Sequence, residues 1–272
     1  MGWDLDLRVS LKREDYDPST FRNPSLENDR LLDVFQQAIR KSPHIKIYLL
    51  LWDFPIIYGG DRELFLEEKI YLQFPHNVIF QRQDYHPFLG SNHEKLVVID
   101  KELAFCGGLD ISSNRWDSFD NHSHPQKRVD LSNGAYPPFR DFMAKISGNS
   151  VDFLSSYFEF RWNKSSNKFV FKDVKSLNEI EKDSSLDFLR TWPSYKELPQ
   201  KREIEKAYVK VIERSKYYIY IENQFFSSIP IVRALAKRLT RKEGPDIILI
   251  LNGDQSFDFL EGTTIGLLQK RA

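Results

Sequence analysis

The chain has 272 residues, of which 41% are apolar and 29% charged, as in an ordinary soluble globular protein. Lys plus Arg and Asp plus Glu each total 39, so the net charge is zero and no overall basic field favours nucleic acid or anionic lipid. The single cysteine, Cys106, excludes an intrachain disulfide. The opening MGWDLDLRVS lacks a signal-peptide pattern, and no apolar run approaches the roughly 18 residues of a membrane span.

Hydrophobic periodicity predicts alternating helices and strands in the first part of the chain. The predicted helices cover residues 29–41, 62–73 and 150–162. The predicted strands cover residues 45–54, 77–83, 94–100, 102–108 and 139–148. We expect a tight turn at Asp100–Lys101 between two of these strands, and the polar stretch 114–138 is typical of a loop.

The second part of the chain continues the alternation after a polar connector, residues 163–185, in which we predict a short strand at KFVF (168–171). The further predicted strands cover residues 186–192, 217–226 and 246–254. The predicted helices cover residues 203–214, 230–239 and 257–271, the second with Pro230 in its first turn.

An internal repeat lies in this order of elements. IKIYLLLWD and DIILILNGD align at a shift of 200 residues, with Leu51 on Leu251, and the preceding helices align at the same shift. The following helices both contain Phe-Leu-Glu, at 65–67 and 259–261. Two unrelated αβα units can look alike, but the shared order and spacing favour a duplication. We therefore expect two lobes, residues 1–195 and 196–272, with the second incomplete.

The repeat also predicts what the chain lacks. The second copy begins with a helix and a strand, whereas the first has only GWDLD in that place. A counterpart of His93 falls near position 290, past Ala272. We expect the chain to be an internal piece of a longer two-lobed protein.

The stretch SNHEKLVVID carries the strongest chemical signal. Alternation along a strand places His93 and Lys95 on one face and Glu94 on the other. An imidazole can attack phosphorus, and a neighbouring lysine can neutralise phosphate oxygens without a metal. Asp100 at the strand end can anchor the turn or brace the site. A His-x-Lys pair alone is a weak signal, but GGLD at 107–110 and RWD at 115–117 strengthen it.

With these neighbours, HEKLVVIDKELAFCGGLDISSNRWD (93–117) resembles the H-x-K-x4-D signature of the phospholipase D superfamily. PFRDFMAKISGNSVDFLSSYFEFRWN (138–163) and AYVKVIERSKYYIYIENQFF (207–226) resemble its eukaryotic-type and bacterial phospholipase-like branch. The resemblance covers nearly the whole chain. It implies an α/β fold in which a mixed β-sheet is flanked by helices and two pseudo-symmetric lobes face each other across the site.

The resemblance also implies roles for the residues of the first half. His93 is expected to be the nucleophile that forms a phosphohistidine, and Lys95 to bind the phosphate. Asp110 occupies the polar position near that lysine, and Asp141 matches the carboxylate that holds the imidazole from behind. Asp100 is expected to give structural support to the catalytic group.

Other residues are candidates for binding. Arg115 can hold a phosphate or headgroup, although an arginine packed on an aromatic ring is an equally good reading. Glu222, Asn223 and Gln224 are expected to brace the junction between the lobes and to contribute to substrate binding. His122 and His124 could bind a metal, but two histidines in a polar loop without partners are more often solvated, and no metal is predicted.

The departure from the family pattern is the absence of a second H-x-K-x4-D among the 272 residues. His44 and Lys46 form the only other His-x-Lys pair, Leu51 stands where the aspartate should be, and a buried strand follows, so this pair is a decoy. In the family the second histidine is the general acid for the departing alcohol. We therefore expect little turnover from this chain alone.

The resemblance favours a phospholipase D-type phosphodiesterase that hydrolyses glycerophospholipids to phosphatidic acid without a cofactor. Phosphatidyl transfer or nucleic-acid cleavage within the superfamily, and a non-catalytic lipid-binding or assembly module, stay open. The partners implied are a phospholipid membrane surface and the missing C-terminal half or a complementing chain, with no nucleic acid expected. We expect a cytoplasmic protein or a secreted effector, with a slight preference for a bacterial effector.

Overall fold

The computed structural model describes residues 1–11, 30–53, 63–88, 90–117, 128, 134–165, 169–177, 186–224 and 226–251. Their contacts divide the chain into two units, Met1–Asp187 and Phe188–Ala272. Both units combine strands with helices that pack against them, so the chain is of the α/β class. Among the described residues, none of the helices has both the length and the apolar character needed to cross a bilayer.

The described residues of the first unit form five strands and three helices. The strands are β1 (Ile47–Trp52), β2 (Val78–Gln83), β3 (Lys95–Ile99), β4 (Leu103–Gly107) and β5 (Met143–Ser147). The helices are α1 (Leu31–Lys41), α2 (Leu66–Gln73) and α3 (Ser150–Lys164). β1 and β2 pair in parallel, whereas β3, β4 and β5 form an antiparallel sheet in that order.

Met1 and Gly2 connect these two sheets. Gly2 bridges Leu51 of β1 in parallel, and its amide donates to the Leu50 carbonyl at 3.1 Å. On the other side, the Leu96 amide of β3 donates to the Met1 carbonyl at 2.9 Å, and the Met1 amine donates to the Leu96 carbonyl at 2.7 Å. This reciprocal pair is antiparallel. The first residues therefore occupy the strand position that the repeat assigns to GWDLD.

Helices cover both faces of the parallel pair. On one face, α1, α2 and the N-terminal segment bury a cluster that includes Leu7, Leu51, Ile70 and Phe80. On the other face, Trp162 of α3 lies with its ring 5.4 Å from that of Tyr48 of β1, and it is fully buried. Burial on both faces explains why β1 is apolar throughout rather than alternating.

The second unit also contains a parallel pair of strands. Its elements are β6 (Thr191–Trp192), β7 (Lys201–Arg202), α4 (Glu203–Arg214), β8 (Tyr218–Asn223), α5 (Ile229–Leu239) and β9 (Asp246–Leu251). β8 and β9 are parallel, and α4 and α5 bury one face of them around Ile212, Ile219 and Leu235. The predicted helix at 203–214 is confirmed to the residue.

Two strand predictions fail, and the predicted helix at 257–271 lies outside the described residues. Residues 169–171 form no strand, because the Asn163 side chain takes over both backbone groups of Phe171, donating to its carbonyl and accepting from its amide at 2.8 Å each. The predicted strand 186–192 is reduced to Thr191–Trp192. The Arg190 amide is occupied by the Glu203 carboxylate at 2.9 Å. Side chains thus replace strand partners at both places.

Candidate functional site

The candidate residues meet at one edge of the sheet. β1 and β2 run in parallel and end at Trp52 and Gln83, and β3 runs antiparallel to the N-terminal segment and begins at Lys95. The start of β3 therefore lies at the carboxyl edge of the parallel strands. In open α/β sheets this edge is where ligands bind. His93 and Lys95 both lie there.

Lys95 forms a buried ion pair at this edge. Its Nζ lies 3.2 Å from Asp110 Oδ2, and both side chains are 3% exposed. The other carboxylate oxygen of Asp110 accepts hydrogen bonds from the amides of Trp3 at 2.9 Å and Asp4 at 3.2 Å. Burial lowers the pKa of Lys95, and the Asp110 charge opposes that shift. Asp110 thus offsets part of the cost of burying the ammonium group.

His93 lies beside this pair with its side chain reaching solvent. Its ring centroid is 5.8 Å from that of Trp3, and its carbonyl accepts a hydrogen bond from Lys95 Nζ at 3.0 Å. Partial burial among its neighbours lowers the pKa of His93, and the Lys95 charge lowers it further. A lowered pKa favours the neutral imidazole, the form in which a ring nitrogen carries a lone pair for attack.

Asp141 reaches the site because of a glycine. An added Cβ on Gly108 would lie 2.3 Å from both carboxylate oxygens of Asp141, far inside van der Waals contact. The Gly108 amide donates to the Phe142 carbonyl at 3.1 Å, which fixes the two segments together. The charge of Asp141 raises the pKa of His93, against the larger lowering effects. Gly108 thus leaves room for this carboxylate, whose charge acts on the imidazole.

Arg115 lies near enough to act on the same groups. Its charge lowers the pKa of both His93 and Lys95, and its guanidinium carbon is 5.2 Å from the ring centroid of Phe139. Arg115 thus packs on an aromatic ring, as one reading predicted, with its charge acting on His93 and Lys95. Its binding of a phosphate or headgroup stays a prediction.

The remaining predicted residues belong to other elements of the fold. Asp100 has φ 51° in the tight turn with Lys101, five residues past Lys95 and so roughly 16 Å along the strand. The structure therefore does not bring Asp100 to His93, because it occupies the opposite end of β3. Glu222 and Asn223 end β8 in the second unit, followed by Gln224, and all three are exposed.

The second His-x-Lys pair, His44 and Lys46, lies apart from the cluster. Lys46 precedes β1, at the end opposite Trp52, and its Nζ donates to the His76 carbonyl at 2.6 Å. The His44–Lys46 pair is thus at the wrong edge of the sheet for the site. His122 and His124 lie outside the described residues. Within the described part of the chain, no group of three or more His, Cys, Asp or Glu side chains could hold a metal ion.

The sequence analysis missed two contributors to the site. Trp3 stacks on Trp52 with ring centroids 5.7 Å apart, and Trp52 Nε1 donates to His86 Nε2 at 3.2 Å. This aromatic row forms one side of the site, and its only sequence signal is the tryptophan in GWDLD. The second is Asp117, which binds Arg128 at 2.9 Å and accepts from the Phe139 amide at 3.0 Å. The aspartate of RWD thus ties the loop that carries Arg115 to residue 139.

Comparison with known proteins gives similarity at low identity. The chain is 25% identical to "Phospholipase D A" of Dictyostelium discoideum over 288 residues, which cover 91% of this chain and 22% of that protein. It is 25% identical to "Phospholipase D alpha 1" of Cynara cardunculus over 194 residues, covering 50% of the chain and 24% of that protein. It is also 25% identical to "Cardiolipin synthase" of Clostridium perfringens strain SM101 over 178 residues, covering 62% of the chain and 33% of that protein.

No protein-family profile matches the chain. The chain spans 22% of the Dictyostelium relative and 33% of the Clostridium relative. The similarities to both kinds of enzyme support membership of the phospholipase D superfamily.

Proposed function

We propose that the chain provides one half of the active site of a phospholipase D-type phosphodiesterase. The observation that carries the proposal is the His93 imidazole beside the buried Lys95–Asp110 pair, at the carboxyl edge of the parallel strands. A phosphodiester carries one negative charge, which the Lys95 ammonium attracts and the Arg115 guanidinium reinforces. The same cation then stabilises the extra negative charge that develops on phosphorus oxygens during attack.

The proposed reaction has two steps. In the first, a ring nitrogen of His93 attacks phosphorus, and the bond between phosphorus and the headgroup oxygen breaks. Asp141 stabilises the positive charge that the imidazole acquires, as a carboxylate does for a catalytic histidine. In the second, water attacks the phosphohistidine, which yields phosphatidic acid and restores the free imidazole. Each step needs a proton donor or acceptor for the oxygen that leaves or enters.

The second proton-transfer group is proposed to come from outside these 272 residues. The sequence contains one H-x-K-x4-D, at 93–100. We propose two pseudo-symmetric lobes, 1–195 and 196–272, of which the second is completed by further polypeptide or a complementing chain. That polypeptide supplies a general acid for the headgroup alcohol. The 272-residue chain alone then retains the nucleophile but turns over poorly.

The proposed substrate is a glycerophospholipid at a membrane surface. Its support is the naming of several relatives as phospholipase D and the zero net charge, which gives no general attraction for nucleic acid. Phosphatidyl transfer is a second candidate, because the similarity to "Cardiolipin synthase" covers 62% of the chain. Both reactions use the same covalent intermediate and differ in whether water or an alcohol accepts the phosphatidyl group.

A nitrophenyl phosphodiester tests the proposal without the missing general acid. Nitrophenolate is a weakly basic leaving group that departs without protonation, so attack by His93 needs only the groups in this chain. We expect a burst of about one nitrophenolate per chain, with the phosphoryl group on His93 in the peptide mass spectrum. His44→Ala, in the decoy pair, should keep the burst, and His93→Ala should abolish it.

The outcomes separate the alternatives. A burst that survives His93→Ala contradicts the assignment of the nucleophile. If the wild-type chain binds phosphatidylcholine vesicles but gives no burst, a non-catalytic lipid-binding module is supported instead. If the complete protein is then given glycerol with phosphatidylcholine, formation of phosphatidylglycerol in excess of phosphatidic acid favours phosphatidyl transfer.

A further inference from the structure

The backbone that carries His93 lies outside the regular sheet. β3 begins at Lys95, where its pairing with Gly107 of β4 starts. Residues 91–94 are therefore not fixed by the ladder hydrogen bonds that fix the rest of the strand. A nucleophile must nevertheless be held within a fraction of an ångström of the productive geometry. Something else has to set the position of His93.

The two residues that flank His93 turn their side chains toward helix α3. Tyr157 of α3 donates its hydroxyl hydrogen to Glu94 Oε1 at 2.5 Å. Arg161 of α3 lies with its Nε 3.8 Å from Glu94 Oε2, and its Nη2 donates to Asn92 Oδ1. Since side chains alternate along an extended segment, anchoring positions 92 and 94 on one side directs His93 to the other.

Arg161 also connects this segment to the neighbouring strand. The side-chain amide of Gln83 is oriented with its oxygen toward the guanidinium. This oxygen accepts hydrogen bonds from Arg161 Nε at 2.5 Å and from Arg161 Nη2 at 2.6 Å. Asn92 Nδ2 also donates a hydrogen bond to the backbone carbonyl of Gln83 at 3.4 Å. Arg161, Gln83 and Asn92 are 4%, 1% and 8% exposed. One buried guanidinium therefore contacts both neighbours of His93 and the end of β2.

We infer that Arg161 is a positioning residue for His93, holding its backbone from behind through Asn92 and Glu94. The inference rests on the proposed function, which assigns His93 as the nucleophile. The contacts of Arg161 with Asn92 and Glu94 do not depend on that assignment. The contacts of Arg161 are with Asn92, Glu94 and Gln83, which hold the backbone around His93. Its loss should therefore change the rate of attack and leave the titration of His93 in place.

A lysine cannot replace this arginine. The planar guanidinium presents several donors in a fixed fork, whereas an ammonium group is a point donor on a flexible stem. Lysine at this position can reach one of the three partners at a time. Arg161→Lys is therefore expected to behave like Arg161→Gln, although it keeps the charge.

The first arm of the test measures amide hydrogen exchange and needs no activity. Arg161→Gln in the 272-residue chain should speed exchange at residues 92–95 about tenfold. The matched control is Glu159→Gln on the same helix, which is 7% exposed and whose carboxylate lies 2.6 Å from Lys101 Nζ at the far end of β3. It should speed exchange near the 99–102 turn and leave residues 92–95 unchanged.

A milder variant covers the case in which Arg161→Gln fails to fold. Tyr157→Phe removes only the hydroxyl that binds Glu94, and it should speed exchange at residues 92–95 by about threefold. If neither Arg161→Gln nor Tyr157→Phe changes exchange there, or if Glu159→Gln changes it equally, the inference is overturned.

The second arm measures the burst rate with a nitrophenyl phosphodiester across pH. Arg161→Gln and Arg161→Lys should lower the plateau rate about 10- to 100-fold per folded chain without moving the pH midpoint or the substrate concentration for half-maximal rate. A plateau equal to that of Glu159→Gln overturns the positioning role. If the wild type gives no burst, the proposed function fails, and the exchange arm still decides whether Arg161 holds the segment.

Discussion

Each unit contains a parallel strand pairing that the repeat relates, Gly2 with β1 in the first unit and β8 with β9 in the second, and the two differ in burial. Leu51 of β1 bridges Gly2, and Leu251 of β9, exactly 200 residues later, pairs with Asn223 of β8. The two residues that the 200-residue shift aligns, Leu51 and Leu251, thus each pair in parallel with a preceding strand segment. This agreement supports the proposed duplication. It also sets Trp3 in the first unit at the position of Gln224 in the second.

Burial separates the two pairs. Leu50 of β1 is 0% exposed, because its face of the sheet is covered by α3 and by Phe169 and Phe171, which pack on Tyr48. The corresponding Ile250 of β9 is 46% exposed among the described residues of the second unit. Nearly identical apolar runs therefore differ in burial because the cover comes from elements about a hundred residues further along the chain.

The largest effect should come from the buried charges of the first unit. Asp110→Ala leaves the Lys95 ammonium buried and unpaired and removes the acceptor of the Trp3 and Asp4 amides, so the free energy of unfolding should fall by about 3–5 kcal/mol. Urea unfolding followed by tryptophan fluorescence measures it. A Trp192→Phe background removes the only tryptophan of the second unit.

The control for Asp110 is an exposed pair in the same unit. Asp152 lies 3.0 Å from Lys175, and their side chains are 47% and 64% exposed. Asp152→Ala should therefore cost less than about 1 kcal/mol. If Asp110→Ala and Asp152→Ala lower the free energy of unfolding equally, burial does not strengthen the Lys95–Asp110 pair.

A pair of aliphatic truncations tests the difference in burial directly. Leu50→Ala should lower the free energy of unfolding of the first unit by about 2–5 kcal/mol, whereas Ile250→Ala should lower that of the second by less than about 1 kcal/mol. Amide exchange of β1 and β9 reports the two units separately. A large loss for Ile250→Ala would mean that its face is covered by residues beyond those described.

Two glycines test how the first unit shapes its site. Gly108→Ala forces the Asp141 carboxylate away and should lower the burst rate about 10-fold or more. Gly148→Ala is the control, because its φ of 78° disfavours a side chain but nothing lies within 4 Å of the added Cβ. It should cost about 1 kcal/mol of stability and leave the burst rate unchanged. An unchanged rate for Gly108→Ala would remove Asp141 from the mechanism.

Local periodicity explains which parts of the fold were predictable. The helix 203–214 and the strands of both parallel pairs follow from apolar spacing, which depends only on neighbours in sequence. The Asp100–Lys101 turn follows from its position between two apolar runs, and both residues have the positive φ of a tight hairpin turn. The alternation that places His93 and Lys95 on one face is a property of the extended chain itself.

Contacts between distant segments explain the rest. The Asp110 carboxylate is anchored by amides 106 and 107 residues away, at Asp4 and Trp3, and no local pattern encodes that distance. The Asp100 prediction followed a motif rather than a geometry, and the strand length carries this residue away from the site. At Phe171, the hydrogen bonds that a partner strand would make are made by the side chain of Asn163 in α3. The apolar run at 168–171 does not encode this contact, so it could not exclude a strand.

The smallest expected effect concerns the start of α4 in the second unit. Arg190 binds the Glu203 carboxylate with two guanidinium hydrogen bonds of 2.9 Å, and this contact lowers the pKa of Glu203 below its ordinary value of 4.5. A lowered carboxyl pKa gives stability that is present above 4.5 and is lost as the pH falls through the folded-state pKa.

Arg190→Ala should therefore cost about 1–2 kcal/mol at neutral pH and progressively less in acid, as measured by amide exchange of α4 across pH. Arg202→Ala is the control: its side chain is 48% exposed and pairs with Glu205 one turn along, so it should cost about 0.5 kcal/mol or less. A cost for Arg190→Ala that stays constant down to strongly acid pH would show that Arg190 stabilises this unit by packing on Trp192, 5.5 Å from its ring centroid, rather than by its charge. The second unit would then be stabilised by apolar contacts both before α4 and around its sheet. The first unit, by contrast, depends on the buried Lys95–Asp110 pair, so the two units would differ in the kind of interaction that stabilises them.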